Sequence, residues 1–335
     1  MFTHGYAVLI GVDKNKVGKL DLPVVAEDIN KLHEVFTHPD RCGYLPKNVK
    51  VLTAEEATRS NILTAMDWLH EKLEKDKNTE TTAFIYYSGH GHLEADVAYL
   101  LPYDMAFPIS AYALPAAAFA QKITAISPKR LLIVLDCCHA EGLGVKGDIG
   151  QVEIQPSPIT PETAGFADLA KGEGRAVLSS SRSDQRSWIR NDGQMSIFTY
   201  HLVEALLGHT SRFEHSTVLV TEVMDYLAKT VPGTAKAEKN AEQVPYYKFE
   251  GTPFPIALIM GGKGLPKGRT PPNPFDDLPI KMEAKVEAEE VEGDLIGQEF
   301  ENFSGGEAKV EMTFVKVKKG GKAIGQKFGN VGRKP

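Results

Sequence analysis

Four uninterrupted apolar runs, Tyr6 to Ile10, Thr82 to Tyr87, Leu131 to Leu135 and Ala176 to Leu178, lack the polar alternation of a half-exposed strand. Runs of that length, rich in β-forming side chains, predict strands covered on both faces. Between them apolar positions step by four and three: Val25, Ile29, Leu32 and Phe36 in one segment, Ile62, Met66, Leu69 and Leu73 in the next. That period predicts helices with one buried face. Strand alternating with helix predicts an α/β fold, an open and mostly parallel sheet flanked by helices. Further on, Arg175 to Ser179 predicts another strand and Ser196 to Leu207 a helix with Phe198, Leu202 and Leu206 on one side. Ser216 to Lys229 predicts a helix carrying Leu219, Val223 and Leu227, and Tyr246 to Leu258 would close this half.

Two interruptions divide the pattern. Residues 141 to 174 are rich in Gly, Pro and Thr and show no periodicity before Phe166 to Ala170, which predicts a long loop with a functional role. Residues 261 to 279 gather Gly, Pro and Lys, including Pro271, Pro272 and Pro274, the composition of a linker. The expected organisation is a large domain over 1–260, a linker over 261–279 and a small C-terminal module or tail over 280–335. In that last segment charge separates: Lys281 to Glu311 is mostly acidic and Lys316 to Lys334 is basic. Val310 to Val317 alternates as a strand and Gly320-Gly321 reads as a turn, so a small β module and a disordered tail of opposing charge blocks both fit. No internal repeat stands out.

Candidate chemistry lies at the ends of two runs. Tyr87-Ser88-Gly89-His90-Gly91 ends one, and Asp136-Cys137-Cys138-His139 ends the other. In open α/β sheets ligand sites gather beyond the carboxyl ends of the strands, where His90 and Cys138 would fall. A thiol of pKa about 8.5 is only a few per cent thiolate at neutral pH, so an imidazole beside it activates it as an ion-pair partner or as a base. Each unit of pKa lowering favours the anion by about 1.4 kcal/mol. Alternation along an extended segment sets Asp136 and Cys138 on one side, Cys137 on the other, and Ser88 together with His90. The pairing that gathers the polar groups is Cys138 with His90, framed by Asp136 and Ser88, with Cys137 buried as a small hydrophobe.

At these residues the chain resembles the caspase-like cysteine peptidases, in particular the metacaspases of bacteria, protists, fungi and plants. That family carries its catalytic His in Tyr-Ser-Gly-His-Gly, matched at 87 to 91. Its catalytic Cys lies in Asp-Ser-Cys-His-Ser-Gly or Asp-Cys-Cys-His-Ser-Gly, matched at 136 to 139, after which Ala140-Glu141-Gly142 departs from the pattern. Similarity extends to Ala7 to Val12, the Asp28 region, Leu101-Pro102-Tyr103-Asp104, Gln243-Val244-Pro245 and Phe254 to Leu258, roughly residues 5 to 258. The resemblance implies a caspase-like sheet, catalysis by Cys138 and His90, and an oxyanion hole from the backbone amides of Gly91 and Cys138. It implies self-cleavage in the 141–174 loop, where Lys146 and Lys171 are candidate sites. It also implies that Asp136 lines the specificity pocket, with Asp28 and Ser88 as further candidates for the wall. Calcium activates many metacaspases through an acidic cluster; Asp104 and Asp148 are the candidates here, while residues 109 to 126 contain no Asp or Glu. No other cofactor is expected.

Charge bears on the substrate. Animal caspases, which cut after Asp, have Gln-Ala-Cys-Arg-Gly around the nucleophile, whereas this chain has Asp136 two residues before Cys138. A carboxylate facing Lys or Arg at about 4 Å gains roughly 4 kcal/mol at an effective dielectric near 20, and repels an acid comparably before solvation is counted. Cleavage after Arg or Lys is therefore expected. Against it stands Ser187-Trp188-Ile189-Arg190, which resembles the Ser-Trp-Arg of animal caspases and would bring a basic group near.

Plainer readings compete. His33, His38, His70, His92 and His201 read as surface or helix filling. Cys42, Cys137, Cys138 and His139 lack the Cys-x-x-Cys spacing of a zinc site. Asp136 would serve to cap an amide near a helix start, and Asp28 falls in the first turn of its helix, where negative charge is favourable. For function the alternative is a non-catalytic caspase-like scaffold that binds protein, although a scaffold has no physical need of a thiol and an imidazole at strand ends. An acyl-enzyme also passes to amines, so an acyl transferase or ligase is a third reading.

At 335 residues the chain holds a buried core. Three cysteines, two of them adjacent, cannot frame a disulfide scaffold, which points to a reducing, cytoplasmic setting. Met1 to Val12 has no signal-type pattern and no run has the length of a membrane span. A net charge of −6 gives no reason to invoke nucleic acid. The expected partners are protein substrates and, through the C-terminal module, an adaptor or sensor.

Overall fold

In chain order the elements are β1 (Gly5–Gly11), α1 (Pro23–Thr37), β2 (Val49–Leu52), α2 (Arg59–Lys75), β3 (Thr82–Gly89), β4 (Gly91–Glu94), β5 (Val97–Leu100), α3 (Ile109–Tyr112), β6 (Leu114–Pro115), α4 (Ala116–Thr124) and β7 (Arg130–Cys137). There follow β8 (Val145–Lys146), β9 (Glu153–Ile154), β10 (Arg175–Ser179), α5 (Ile197–Glu204), β11 (Thr217–Leu219), α6 (Val220–Lys239), β12 (Tyr246–Glu250) and β13 (Pro255–Leu258). Last come β14 (Ile280–Val291), β15 (Asp294–Ile296), β16 (Glu299–Phe303), β17 (Gly306–Val317), β18 (Lys322–Ile324) and β19 (Lys327–Val331). The structure is a computed structural model that describes all residues except 19, 79, 127, 138–144, 147–152, 155–156, 158, 164–165, 167, 211–214, 277–279, 292–293, 297–298, 304–305, 318–321, 325–326 and 332–335. For 145–146, 153–154 and the strands from 280 onward it describes the backbone.

The apolar runs are the strands of one six-stranded sheet, ordered β12-β10-β7-β3-β1-β2. All its pairings are parallel except that of the edge strand β12 with β10. Period-two alternation decides which helix covers which face. Ala7, Leu9, Phe84, Tyr86, Leu132, Val134, Ala176 and Leu178 pack against α1, α5 and α6. Their neighbours Val8, Ile10, Ile85, Tyr87, Ile133, Leu135 and Cys137 pack against α2 and α4. The result is a three-layer α/β/α unit with both faces of the sheet dry, which explains why its strands carry no polar alternation.

Two local expectations need correcting. Pro23 occupies the first turn of α1, a position suited to its fixed φ and missing N–H. The helix therefore starts earlier than its apolar pattern, the first turn holds no acidic residue, and Asp28 lies in the second turn and is wholly buried. The helix expected from Ser216 begins only at Val220, because Thr217–Leu219 pairs antiparallel with β13 and so satisfies its backbone as a strand. Leu219 then donates its amide to Glu222 Oε2 at 2.8 Å, which fixes the helix start, and α6 continues through Pro232 to Lys239.

The chain forms two compact units, Met1–Pro274 and Phe275–Pro335. The Pro- and Gly-rich stretch belongs to the first unit as far as Pro274: Leu265 is buried, His209 Nε2 bonds the Pro272 carbonyl at 3.0 Å, and Asn273 Nδ2 donates to the Tyr200 hydroxyl at 3.3 Å. In the second unit β14, β15 and β16 pair in parallel with β17, β18 and β19 respectively. No helix among the described residues is long and apolar enough to cross a membrane.

Candidate active site

β3 and β7 are adjacent parallel strands that end together, with Ser88 opposite Asp136 and Gly89 opposite Cys137. His90 is the residue after β3 and is 2% exposed. Its Nε2 lies 3.1 Å from the carbonyl oxygen of Leu20. A carbonyl only accepts, so Nε2 carries the proton and the lone pair of the neutral ring is on Nδ1. The loop bearing Leu20 is organised by Asn15, whose Nδ2 donates to the Pro102 carbonyl at 2.8 Å, whose Oδ1 accepts the Val17 amide at 2.9 Å, and whose own amide donates to Asp21 at 2.8 Å. Cys138, the residue after β7 in sequence, lies outside the described residues, as do His139 and Asp148. Cys137 is buried against the α2 and α4 side of the sheet.

Asp136 and Ser88 lie on the opposite, α1 and α5 face, and both are fully buried. Asp136 is caged by hydroxyls: Ser187 donates to Oδ1 at 2.7 Å, while Ser196 and Thr199 donate to Oδ2 at 3.0 and 3.2 Å. Tyr86 reaches the Thr199 hydroxyl at 2.6 Å. Gln243 locks the far side, giving Nε2 to the Ser180 carbonyl and to Ser187 Oγ and taking the Trp188 amide. Asp28 joins this group from α1. Its Oδ1 accepts the Ser196 amide at 3.1 Å, and its Oδ2 is buried with no hydrogen-bond partner among the described residues. Burial, reinforced by the neighbouring Asp136, holds the Asp28 carboxyl well above the usual carboxylate range. Ser196 is the N-cap of α5, its hydroxyl also accepting the Thr199 amide, so both carboxylates sit at the positive end of that helix.

Other sequence candidates distribute differently. Gly91 starts β4 and sits against Ser157 and Ile159: the Ser157 amide donates to its carbonyl at 2.9 Å, and a Cβ on Gly91 would lie 2.3 Å from the Ser157 oxygen. Arg190 stacks on Tyr200 at 3.7 Å and pairs with Asp192 at 2.9 Å, so its charge is already engaged, while Ser187 serves Asp136. Asp104 accepts the Arg59 amide at the start of α2, and among the described residues no group of three or more His, Cys, Asp or Glu could hold a metal ion. Lys171 is exposed and ion-paired with Asp168 at 2.6 Å; the Lys146 backbone lies in β8. His201 is structural, bonded to Glu204 and Thr234. Cys42 is a buried core thiol whose pKa burial pushes up.

Sequence reasoning did not find Leu20, Asn15, Ser196, Thr199 or Gln243 as site residues. Leu20 acts through a backbone atom, which leaves no mark on residue type. Ser196 had a usable signal, since a Ser directly before an apolar helical run is a standard N-cap.

The family model described as the caspase domain matches residues 4–253 of the chain. Caspase-1 from Spodoptera frugiperda, a solved structure, is 16% identical, with a TM-score of 0.48 over 80% of this chain and 92% of that one. No curated protein matches.

Proposed function

The chain belongs to the caspase-domain family of cysteine peptidases, and from that premise we propose that it is a cysteine endopeptidase that cleaves protein substrates after Arg or Lys, in the manner of a metacaspase. One register carries the reading: Gly89 lies beside Cys137, and His90 and Cys138 are each one residue further along their chains. In this proposal the Cys138 thiol gives its proton to His90 Nδ1 and the sulfur attacks the scissile carbonyl. The amides of Gly91 and Cys138 receive the developing oxyanion, and His90 returns the proton to the leaving amine. Water then attacks the thioester, and the same ring takes its proton. The Leu20 carbonyl supports this role by fixing the tautomer and steadying the imidazolium.

The preference for a basic residue rests on two buried carboxylates with no cation bound to either among the described residues. Both oxygens of Asp136 already accept hydroxyls, so it acts on a guest mainly through its field. The oxygen left to make contact is Asp28 Oδ2. A guanidinium or ammonium arriving there would satisfy that oxygen and draw the proton off Asp28. Three cysteines, two of them adjacent, cannot frame a disulfide scaffold, which suits a reducing compartment, and we assign the activity to the cytoplasm. Self-cleavage after Lys146 or Lys171 belongs to the same proposal.

The test is hydrolysis of fluorogenic peptides ending in Arg, Lys or Asp, with and without calcium. The expectation is turnover of the Arg and Lys peptides that Cys138→Ala and His90→Ala both abolish, with a processing pattern that Cys138→Ala changes. Faster turnover of the Asp peptide would overturn the specificity, and turnover unaffected by Cys138→Ala would overturn the chemistry.

A further inference from the structure

The second unit repeats itself. Gly293-Asp294-Leu295-Ile296-Gly297-Gln298-Glu299-Phe300-Glu301-Asn302-Phe303 returns 28 residues later as Gly321-Lys322-Ala323-Ile324-Gly325-Gln326-Lys327-Phe328-Gly329-Asn330-Val331, keeping Gly, Ile, Gly, Gln, Phe and Asn in place. The backbone repeats with the sequence, because each of β14, β15 and β16 pairs in parallel with its own counterpart, β17, β18 or β19. Three strands stacked on the next three make two turns of a parallel coil.

Register sorts the charges. Wherever two charged residues are partners their signs are opposite: Lys281 with Glu307, Glu283 with Lys309, Lys285 with Glu311, Glu290 with Lys316, Asp294 with Lys322 and Glu299 with Lys327. Apolar residues are partnered likewise, Ala284 with Val310, Val286 with Met312 and Phe300 with Phe328. A slip of one residue in either direction would set Lys281, Glu283, Lys285, Glu290, Asp294 and Glu299 each opposite an uncharged residue, so the pairing specifies its own register. The first turn, 280–303, carries eight acidic residues against two lysines; the second, 306–331, carries six lysines against two glutamates.

Each of these sheets has two strands, so among the described residues every strand has one open edge. An open edge is a template for another strand. A copy stacked turn on like turn would set Glu299 against Glu299 or Lys327 against Lys327. The basic turn of one copy on the acidic turn of the next would instead reproduce the pairing already present within the chain. That contact is heterologous and does not close, so it continues from copy to copy.

We propose that the second unit is a polymerisation element: the open edges of β17, β18 and β19 take up β14, β15 and β16 of a second copy of this chain, in the same parallel register, and the stack repeats. The first units are then carried in a row along a common fibre. This goes beyond the peptidase reading and does not depend on it.

The experiment uses the full chain carrying Cys138→Ala, so that every copy remains one unbroken chain. At low salt the expected result is concentration-dependent growth to filaments in sedimentation and electron microscopy, with a fibre reflection at about 4.7–4.8 Å. Lys322→Glu with Lys327→Glu should lose the filaments. Adding Asp294→Lys and Glu299→Lys restores the pairing within the chain, and this fourfold variant should form filaments alone yet stay out of filaments of the unreversed chain in two-colour mixing. The proposal is overturned if the unreversed chain stays monomeric at every concentration, if the twofold variant assembles as well as it does, or if the fourfold variant joins its filaments as readily as its own.

Discussion

Asp28 and Asp136 are joined through one residue: Ser196 gives its backbone amide to Asp28 Oδ1 at 3.1 Å and its hydroxyl to Asp136 Oδ2 at 3.0 Å. Two acids from different strand–helix units therefore converge on the start of α5. The helix end supplies partial positive charge, and the hydroxyl cage satisfies Asp136. Nothing comparable satisfies Asp28 Oδ2 among the described residues. Unmet electrostatic demand in a folded core marks a position held for something other than stability.

Asp28→Asn should therefore stabilise the protein at neutral pH while weakening cleavage after Arg. Burial first, and Asp136 second, raise the folded-state pKa of Asp28 above its unfolded value of about 3.9. Below that value the acid is protonated in both states and costs nothing. As pH rises, the unfolded state ionises first and wild-type stability falls, until the folded-state pKa is passed. The variant's melting temperature should exceed wild type near pH 7 and converge with it near about pH 3. A variant less stable than wild type at neutral pH would refute the account.

Ser196→Ala removes an N-cap and one of the three hydroxyls on Asp136. The cap contributes about 1 kcal/mol and a weakened buried acceptor about 1–3 kcal/mol, so urea unfolding should show a loss of about 2–4 kcal/mol. Ser196→Thr keeps the hydroxyl and should recover most of it. Equal losses in both variants would mean that packing, not the hydroxyl, matters there.

Gly91→Ala places a methyl 2.3 Å from the Ser157 oxygen and 2.8 Å from Ile159 Cγ1. Either Ser157 and Ile159 or the Gly91 backbone must move. Overpacking of this kind costs about 1–3 kcal/mol of stability. If the Gly91 amide serves the oxyanion, kcat/KM should fall by about tenfold or more, equivalent to at least about 1.4 kcal/mol of transition-state stabilisation. Unchanged kcat/KM would remove that amide from the mechanism.

Arg190→Ala should leave the order of preference among Arg, Lys and Asp peptides as it is, because Asp192 and the Tyr200 ring already occupy the guanidinium. Loss of the ring stacking predicts a stability change of about 0.5–1 kcal/mol. A swing toward or away from the Asp peptide would show that Arg190 reaches the substrate.

The central strands were legible because full burial on both faces leaves unbroken apolar runs, and α1 and α2 because one buried stripe leaves a 3.6-residue period. Less legible were features set by tertiary contact. Thr217 to Leu219 fits a helical count as well as a strand, and only the pairing with β13 decides. The Asp136 cage draws on Ser187, Ser196 and Thr199, ordinary residues 51 to 63 positions away. The start of α1 is not marked by its apolar steps, because Pro23 extends the helix before the first of them. The repeat in the second unit is hidden in the sequence because Asp294 and Glu299 return as Lys322 and Lys327, which inverts the charge pattern while conserving the backbone.

β7 and β10 lie side by side, in register from Leu131 with Arg175 to Leu135 with Ser179, and β10 holds β12 on its other edge. The loop between them thus joins segments that the sheet already fastens together. Severing the backbone at Lys146 would leave the two fragments interlocked by that ladder and by the shared apolar faces on either side. Such a nicked molecule would run as two bands once denatured and as a single particle in native separation, so a cut there would alter the loop without dismantling the fold.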